Sequence, residues 1–243
     1  MSGSIINIKD ADAYLAKPSG DVKGGLIIIH EIWGLNDHIK DVTERFASQG
    51  YLSLAPDLLS GTAMEPFTDP SLYRRMQNIA TRDEAQKEMG ALLAPMHSSE
   101  FIQTTVTKLE ACFAWLTDRQ ETTGKVAALG FCFGGTFTFA LAVHESRLKA
   151  AVPFYGNADQ PEEELAKIGC PVLAFYGEQD TNLVNQLPQL KARMQTAGVQ
   201  FEYRVYPNTG HAFFNDASPA RYNQPAAEDA WKRTLAFLNT NLA

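Results

Sequence analysis

The chain has 243 residues, 45% of them hydrophobic and 20% charged, and its 21 Lys+Arg against 28 Asp+Glu give a net charge of −7. That length and apolar share fit one domain of the larger kind, or at most two, and exclude intrinsic disorder, collagen and coiled coil as the main state. The acidic balance, with a pI near 5.3, lacks the basic excess of a nucleic-acid binder.

The N-terminal stretch Met1-Ser-Gly-Ser-Ile-Ile has no charged start followed by a long apolar run, so no secretory signal is read there. The longest aliphatic run, Leu26–Ile29, is far short of the ~18 residues that suggest a membrane span. Cys112, Cys132 and Cys170 are odd in number and lack CxxC spacing. This argues against a disulfide framework and a cysteine zinc site, and makes a reducing, cytoplasmic setting the expectation.

Strands are predicted at Ile5–Ile8 and Ala13–Ala16, and the apolar run Leu26–His30 reads as a buried strand. A helix follows, with Asn36 as N-cap, Ile39, Val42 and Phe46 on one face, and Gly50 as its stop. Tyr51–Ala55 is the next strand, closed by Pro56-Asp57-Leu58. Helical spacing then runs through Leu72–Ile79, Asp83–Leu93 and Phe101–Asp118. Val126–Leu129 is a strand and Gly134–His144 a helix. Leu148–Tyr155 and Val172–Tyr176 are strands, Gln189–Ala197 a helix, Phe201–Tyr206 a strand and Ala226–Leu242 the last helix. Strands alternating with helices of this length predict an α/β fold, a mainly parallel sheet covered on both faces, with ligands at the carboxyl ends of the strands.

One such end carries Gly130-Phe131-Cys132-Phe133-Gly134-Gly135. A lone cysteine is usually a small buried hydrophobe. Here it stands in the G-x-S-x-G elbow between strand and helix, with Cys in place of Ser. The small neighbours let strand and helix approach closely, and the turn lifts the sulfur to the sheet edge. The N–H of Phe133, at a helix N-terminus, faces a developing oxyanion, and the same positive end favours a thiolate. Cys112, beside Phe113 and Trp115, and Cys170, before a proline, keep the ordinary core reading.

A cysteine nucleophile needs a base, and the base needs an orienting carboxylate. In α/β-hydrolases the order along the chain is nucleophile, acid, base. Downstream of Cys132 come Gly177-Glu178-Gln179-Asp180 and Asn208-Thr209-Gly210-His211, each just past a strand. His211 is the predicted base. Asp180 is preferred to Glu178 as its partner because it lies deeper in the loop. His30 and His38 lie upstream of the nucleophile, and His97 and His144 lie in or near helices. Trp33, Tyr155 and Phe213 stand near strand ends as candidate walls of an apolar pocket, or as ordinary core. Glu31, ending a buried strand, costs free energy unless it is paired.

The segments from Glu31-Ile32-Trp33-Gly34, Ala55-Pro56-Asp57-Leu58, Gly130 to Gly135, Gly177 to Asp180 and Gly210-His211-Ala212-Phe213 resemble the dienelactone hydrolase (carboxymethylenebutenolidase) family, and the likeness covers nearly the whole chain. The resemblance implies an α/β-hydrolase fold and a Cys132-Asp180-His211 triad. It implies that Glu31 contacts the resting thiol and helps to generate the thiolate, and that the N–H of Ile32 joins that of Phe133 in an oxyanion hole. It implies hydrolysis of an enol-lactone bearing a carboxylate, with no cofactor and no metal. Family members that hold this carboxylate use two arginines. Four residues after the histidine this chain has Asn215; the other arginine would be Arg74, Arg75 or Arg82, and Arg221 is a further cation.

The expectation is therefore thiol-dependent hydrolysis of a small ester or lactone, by a monomer or homodimer without nucleic-acid or membrane partners. Residues 60–100 are expected to cover the site. The alternatives are a general carboxylesterase or thioesterase with the same triad, a non-catalytic binding protein, and a redox sensor in which Cys132 is oxidised.

Overall fold

The computed structural model describes residues 3–9, 11–62, 70–77 and 80–243. The end of the expected helix at Ile79 and the side chains of Arg82 and His97 lie outside the described residues.

Eight strands form one sheet: β1 (Ser4–Ile8), β2 (Ala11–Ala16), β3 (Gly24–Ile29), β4 (Tyr51–Pro56), β5 (Val126–Phe131), β6 (Ala151–Phe154), β7 (Val172–Gly177) and β8 (Phe201–Tyr206). Their spatial order is β1-β2-β4-β3-β5-β6-β7-β8. The pairs β1–β2 and β2–β4 are antiparallel, and every pair from β4 to β8 is parallel. β3 and β5 are buried throughout because both sheet faces are covered. The two-residue alternation of a strand divides their side chains: Ile27 and Ile29 face one core, Leu26 and Ile28 the other.

The first core is roofed by helices α4 (Ser99–Thr117), α5 (Phe133–His144) and α8 (Leu187–Thr196), and takes in Leu72 of α2 (Pro70–Gln77) and Ala85 of α3 (Arg82–Leu93). The second lies beneath α1 (Asp37–Ser48) and α9 (Gln224–Asn241). Each start has its own capping chemistry. Asn36, Ser98 and Asn223 accept from the third residue onward, Ile39, Phe101 and Ala226 respectively. No helix among the described residues is long and apolar enough to cross a membrane.

Differences from the sequence reading are local. The strand expected at Leu148–Tyr155 shortens to β6, because Leu148 closes a turn onto Glu145 and Tyr155 leaves the extended region at φ 38°. Two single-turn helices, α6 (Glu162–Leu165) and α7 (Thr181–Val184), are too short to show a period. β5 runs two residues further than expected, to Phe131, which sets Cys132 directly at its carboxyl end.

Candidate active site

The site begins at the end of β5. Ile29 of β3 is paired with Gly130, so the carboxyl ends of the two strands lie side by side. Beyond β5 the chain turns sharply: Cys132 has φ 57° and ψ −113°, a conformation that side chains seldom adopt and that costs ~1–3 kcal/mol. Neighbouring hydrogen bonds hold it, from Cys132 N to the Phe154 carbonyl at 3.0 Å and from Thr136 N to the Cys132 carbonyl at 3.1 Å. The turn also requires glycine nearby. A Cβ on Gly130 would stand 2.2 Å from the Gly134 oxygen, and one on Gly134 would stand 2.2 Å from the Ile29 oxygen. Phe133 opens α5, so its N–H is among the four that no helical carbonyl receives. Cys132 is half-buried, whereas Cys112 and Cys170 are buried and burial pushes both thiols up to about 12.

His211 and Asp180 arrive from the ends of β8 and β7. Gln179 N donates to the Thr209 carbonyl at 2.9 Å, and the Asn223 amide donates to the Thr209 hydroxyl at 2.9 Å, which fixes the loop before His211. His211 Nδ1 is hydrogen-bonded to Asp180 Oδ2, and Cys132 lies close enough to act on its imidazole. Burial disfavours charge on this imidazole. The nearby Cys132 sulfur and the hydrogen-bonded Asp180 carboxylate outweigh it, so the group is pushed up to about 10. Glu178 is turned away: it accepts from Asn208 N at 2.8 Å and shapes the loop. The remaining described histidine side chains have structural partners, His38 with Asp216 at 3.1 Å and His144 with Glu110 at 3.8 Å.

Glu31 follows β3 and is 3% exposed. Burial pushes its carboxyl up, while a hydrogen bond from Asn215 and the charges of His211 and Arg221 oppose the shift. Asn215 Nδ2 lies 2.7 Å from Glu31 Oε2, and Asn215 Oδ1 accepts from Ala217 N at 3.1 Å. The second bond fixes which way the amide points, so its N–H faces the carboxylate.

His30 has a role that its sequence position did not reveal. It is fully buried, with Nδ1 2.6 Å from the Glu31 carbonyl and Nε2 accepting from Leu58 N at 3.1 Å. Those partners require the neutral tautomer protonated on Nδ1, and burial accordingly pulls the imidazole down. Its ring stacks on Phe133 at 5.7 Å. His30 thus ties the Glu31–Ile32 turn to the loop after β4 and to the first residue of α5. Neither residue carried a motif of its own: His30 offered only its adjacency to Glu31, and Asn215 only its spacing from His211.

The other expected residues are distributed. Ile32 and Trp33 are partly buried against the first core. Phe213 and Tyr155 lie in the second core beneath the site, with ring centroids 5.5 Å apart. Arg74 is exposed, and Arg75 pairs with Glu88 at 2.5 Å. Arg221 is exposed on the loop before α9, close enough for its charge to act on Glu31 and Tyr155.

The chain is 34% identical to a "Putative carboxymethylenebutenolidase" of Saccharolobus solfataricus, covering 93% of this chain and 92% of that one. A protein of the same name from Escherichia coli K12 is 29% identical, over 93% and 80% of the two chains. The crystal structure of a "Putative Dienelactone Hydrolase" from Klebsiella pneumoniae superposes with a TM-score of 0.78 at 26% identity, covering 97% of each chain. The mainly parallel sheet with helices on both faces is the α/β-hydrolase fold. The model of the dienelactone hydrolase family matches residues 11–242, and the chain belongs to that family of hydrolases.

Proposed function

We propose that the protein hydrolyses a small ester or lactone through a covalent thioester on Cys132. The observation that carries the reading is His211, hydrogen-bonded to Asp180 and set beside the cysteine of a strained elbow. The Cys132 thiolate attacks the substrate carbonyl, forming the S–C bond. The oxyanion takes hydrogen bonds from the N–H groups of Ile32 and Phe133, each contributing ~3–4 kcal/mol in the transition state. The C–O bond then breaks, and His211 gives its proton to the departing oxygen. An enolate leaves more readily than an alkoxide. Water, deprotonated by His211, attacks the thioester, the S–C bond breaks, and the acid is released with the Cys132–His211 pair restored. Asp180 holds the imidazole throughout. Glu31, buried beside this centre, assists formation of the thiolate.

Asn215 favours one substrate class within this chemistry. Its amide is committed to Glu31 and Ala217, so no cation stands four residues after His211 to meet a substrate carboxylate. A neutral ester or lactone fits this site better than a carboxylate-bearing one. The reading takes the 243 residues as one catalytic domain in which residues 60–100 cover the site. Phe101, directly after this segment at the start of α4, has its ring 6.1 Å from that of Phe133. A reducing, cytoplasmic setting suits the three free cysteines.

The test compares wild type with Cys132→Ala on a panel of neutral lactones, simple esters and a dienelactone. Turnover that the substitution abolishes, strongest on neutral substrates, is the expected result. Retention of most hydrolysis by Cys132→Ala would overturn the thioester mechanism.

A further inference from the structure

Tyr155 presents two costs that packing alone does not explain. It ends β6 with φ 38°, where side chains are strained, and its buried hydroxyl has no hydrogen-bond partner. The N–H of Phe214 approaches the phenol oxygen only outside hydrogen-bond geometry, and the phenol proton has no acceptor. The other buried tyrosines are satisfied: Tyr14 by Glu44, Tyr51 by Asn239, Tyr176 by the Gly156 carbonyl and Tyr206 by Asp229. A phenylalanine would fill the same space among Phe131, Phe154 and Phe213 without an unpaired hydroxyl.

Its position supplies the reason. The bond from Cys132 N to the Phe154 carbonyl joins the ends of β5 and β6, which places Tyr155 beside the nucleophile. Its ring lies 4.9 Å from that of His211, and Glu31 and Cys132 act electrostatically on its hydroxyl. Since the hydroxyl is shielded from solvent, substrate does not reach it from outside. The groups it serves belong to the protein.

We propose that Tyr155 is a positioning residue whose hydroxyl donates to the Cys132 sulfur when that sulfur carries negative charge, holding the thiolate from beneath. The inference rests on the reading of Cys132 as nucleophile. The charged groups facing this point are Glu31 from the turn after β3, Asp180 and His211 from the ends of β7 and β8, and Arg221 from the loop before α9. None of them is changed by Tyr155→Phe, which removes one oxygen and keeps the ring.

The experiment measures alkylation of Cys132 by iodoacetamide over a pH series, with Cys132→Ala as the background from the two buried cysteines. Only the thiolate reacts. Tyr155→Phe is expected to slow alkylation about tenfold at neutral pH, the effect of one hydrogen bond to a charged group, with the two rates converging at high pH. The same substitution lowers kcat with KM little changed. Superimposable alkylation profiles would overturn the proposal. Should Tyr155→Phe not fold, replacement of tyrosine by 3-fluorotyrosine gives the opposite sign. Its more acidic phenol is a stronger donor and speeds alkylation at neutral pH, and an unchanged rate would count against the proposal. Alkylation needs no substrate, so this result stands apart from the turnover of Cys132→Ala that tests the hydrolase reading.

Discussion

The carboxylate of Glu31 and the amide of Asn215 meet 2.7 Å apart although 184 residues separate them in the chain. Both are buried, at 3% and 8% exposure, so the amide N–H replaces hydration that the carboxylate has lost. The contact also joins the turn after β3 to the loop after His211. The ends of β3 and β8 are thereby held in one geometry.

Removing this donor should cost stability in a pH-dependent way. Burial holds the Glu31 carboxyl above its ordinary 4.5 in the folded protein, and Asn215 opposes that shift. A carboxyl raised on folding adds stability below its unfolded value and loses it as pH rises through the folded value. Asn215→Ala raises the folded value further, so the loss becomes larger on the alkaline side. Urea unfolding should show Asn215→Ala destabilised by about 1–3 kcal/mol at neutral pH, and by clearly less in acid, where Glu31 is protonated in both states. An equal loss at every pH would separate Asn215 from the charge of Glu31.

The Cys132–His211 pair makes a prediction of opposite origin. The imidazole is pushed up to about 10 chiefly because the negative sulfur outweighs burial. Its contribution to stability is present below about 6.5 and is lost as pH rises through about 10. Proton NMR of His211 should therefore show an imidazolium well into the alkaline range in wild type. In Cys132→Ala the titration should move down, since Asp180 alone is left to oppose burial. A midpoint unmoved by the substitution would mean that the sulfur is not the charged partner.

How much of this could be read in the chain depends on where each signal lies. β3 and β5 are buried on both faces, so they appear as unbroken apolar runs, and the glycines around Cys132 mark the close crossing of β5 and α5. The chain order of Cys132, Asp180 and His211 gave the candidate triad because each follows a strand. Asn215 and His30 were harder, since their roles depend on partners set by tertiary packing: Glu31 for one, Leu58 and the Phe133 ring for the other. Tyr155 was legible as an aromatic near a strand end, but its unpaired hydroxyl is a property of the packed interior.

The elbow itself is testable through its smallest residue. Gly130→Ala would place a methyl group 2.2 Å from the Gly134 carbonyl oxygen, which is backbone and has no rotamer to yield. Either β5 or α5 must shift, at a cost of about 1–3 kcal/mol or more. Thermal unfolding should fall markedly, and any folded fraction should lose Cys132 reactivity because the turn is displaced. Gly61→Ala is the control: it also replaces a glycine, but a Cβ there would meet nothing within 4 Å. It carries only the strain of its positive φ of 72°.

Asp180 and Glu178 are two residues apart and make opposite predictions. Asp180 accepts from His211 Nδ1, while Glu178 accepts from the backbone N–H of Asn208, on the far side of the loop. Asp180→Asn presents an amide whose N–H cannot accept that proton, so the imidazole turns or changes tautomer and no longer serves Cys132. A loss of about 10²–10⁴ in kcat is expected, with KM little changed, by analogy with the loss of an orienting carboxylate in serine hydrolases. Glu178→Gln keeps an acceptor oxygen for Asn208, and its kcat should stay within about threefold of wild type, since it loses only an exposed charge. Steady-state kinetics of the two variants distinguish the roles, and a larger loss in Glu178→Gln than in Asp180→Asn would transfer the orienting role to Glu178.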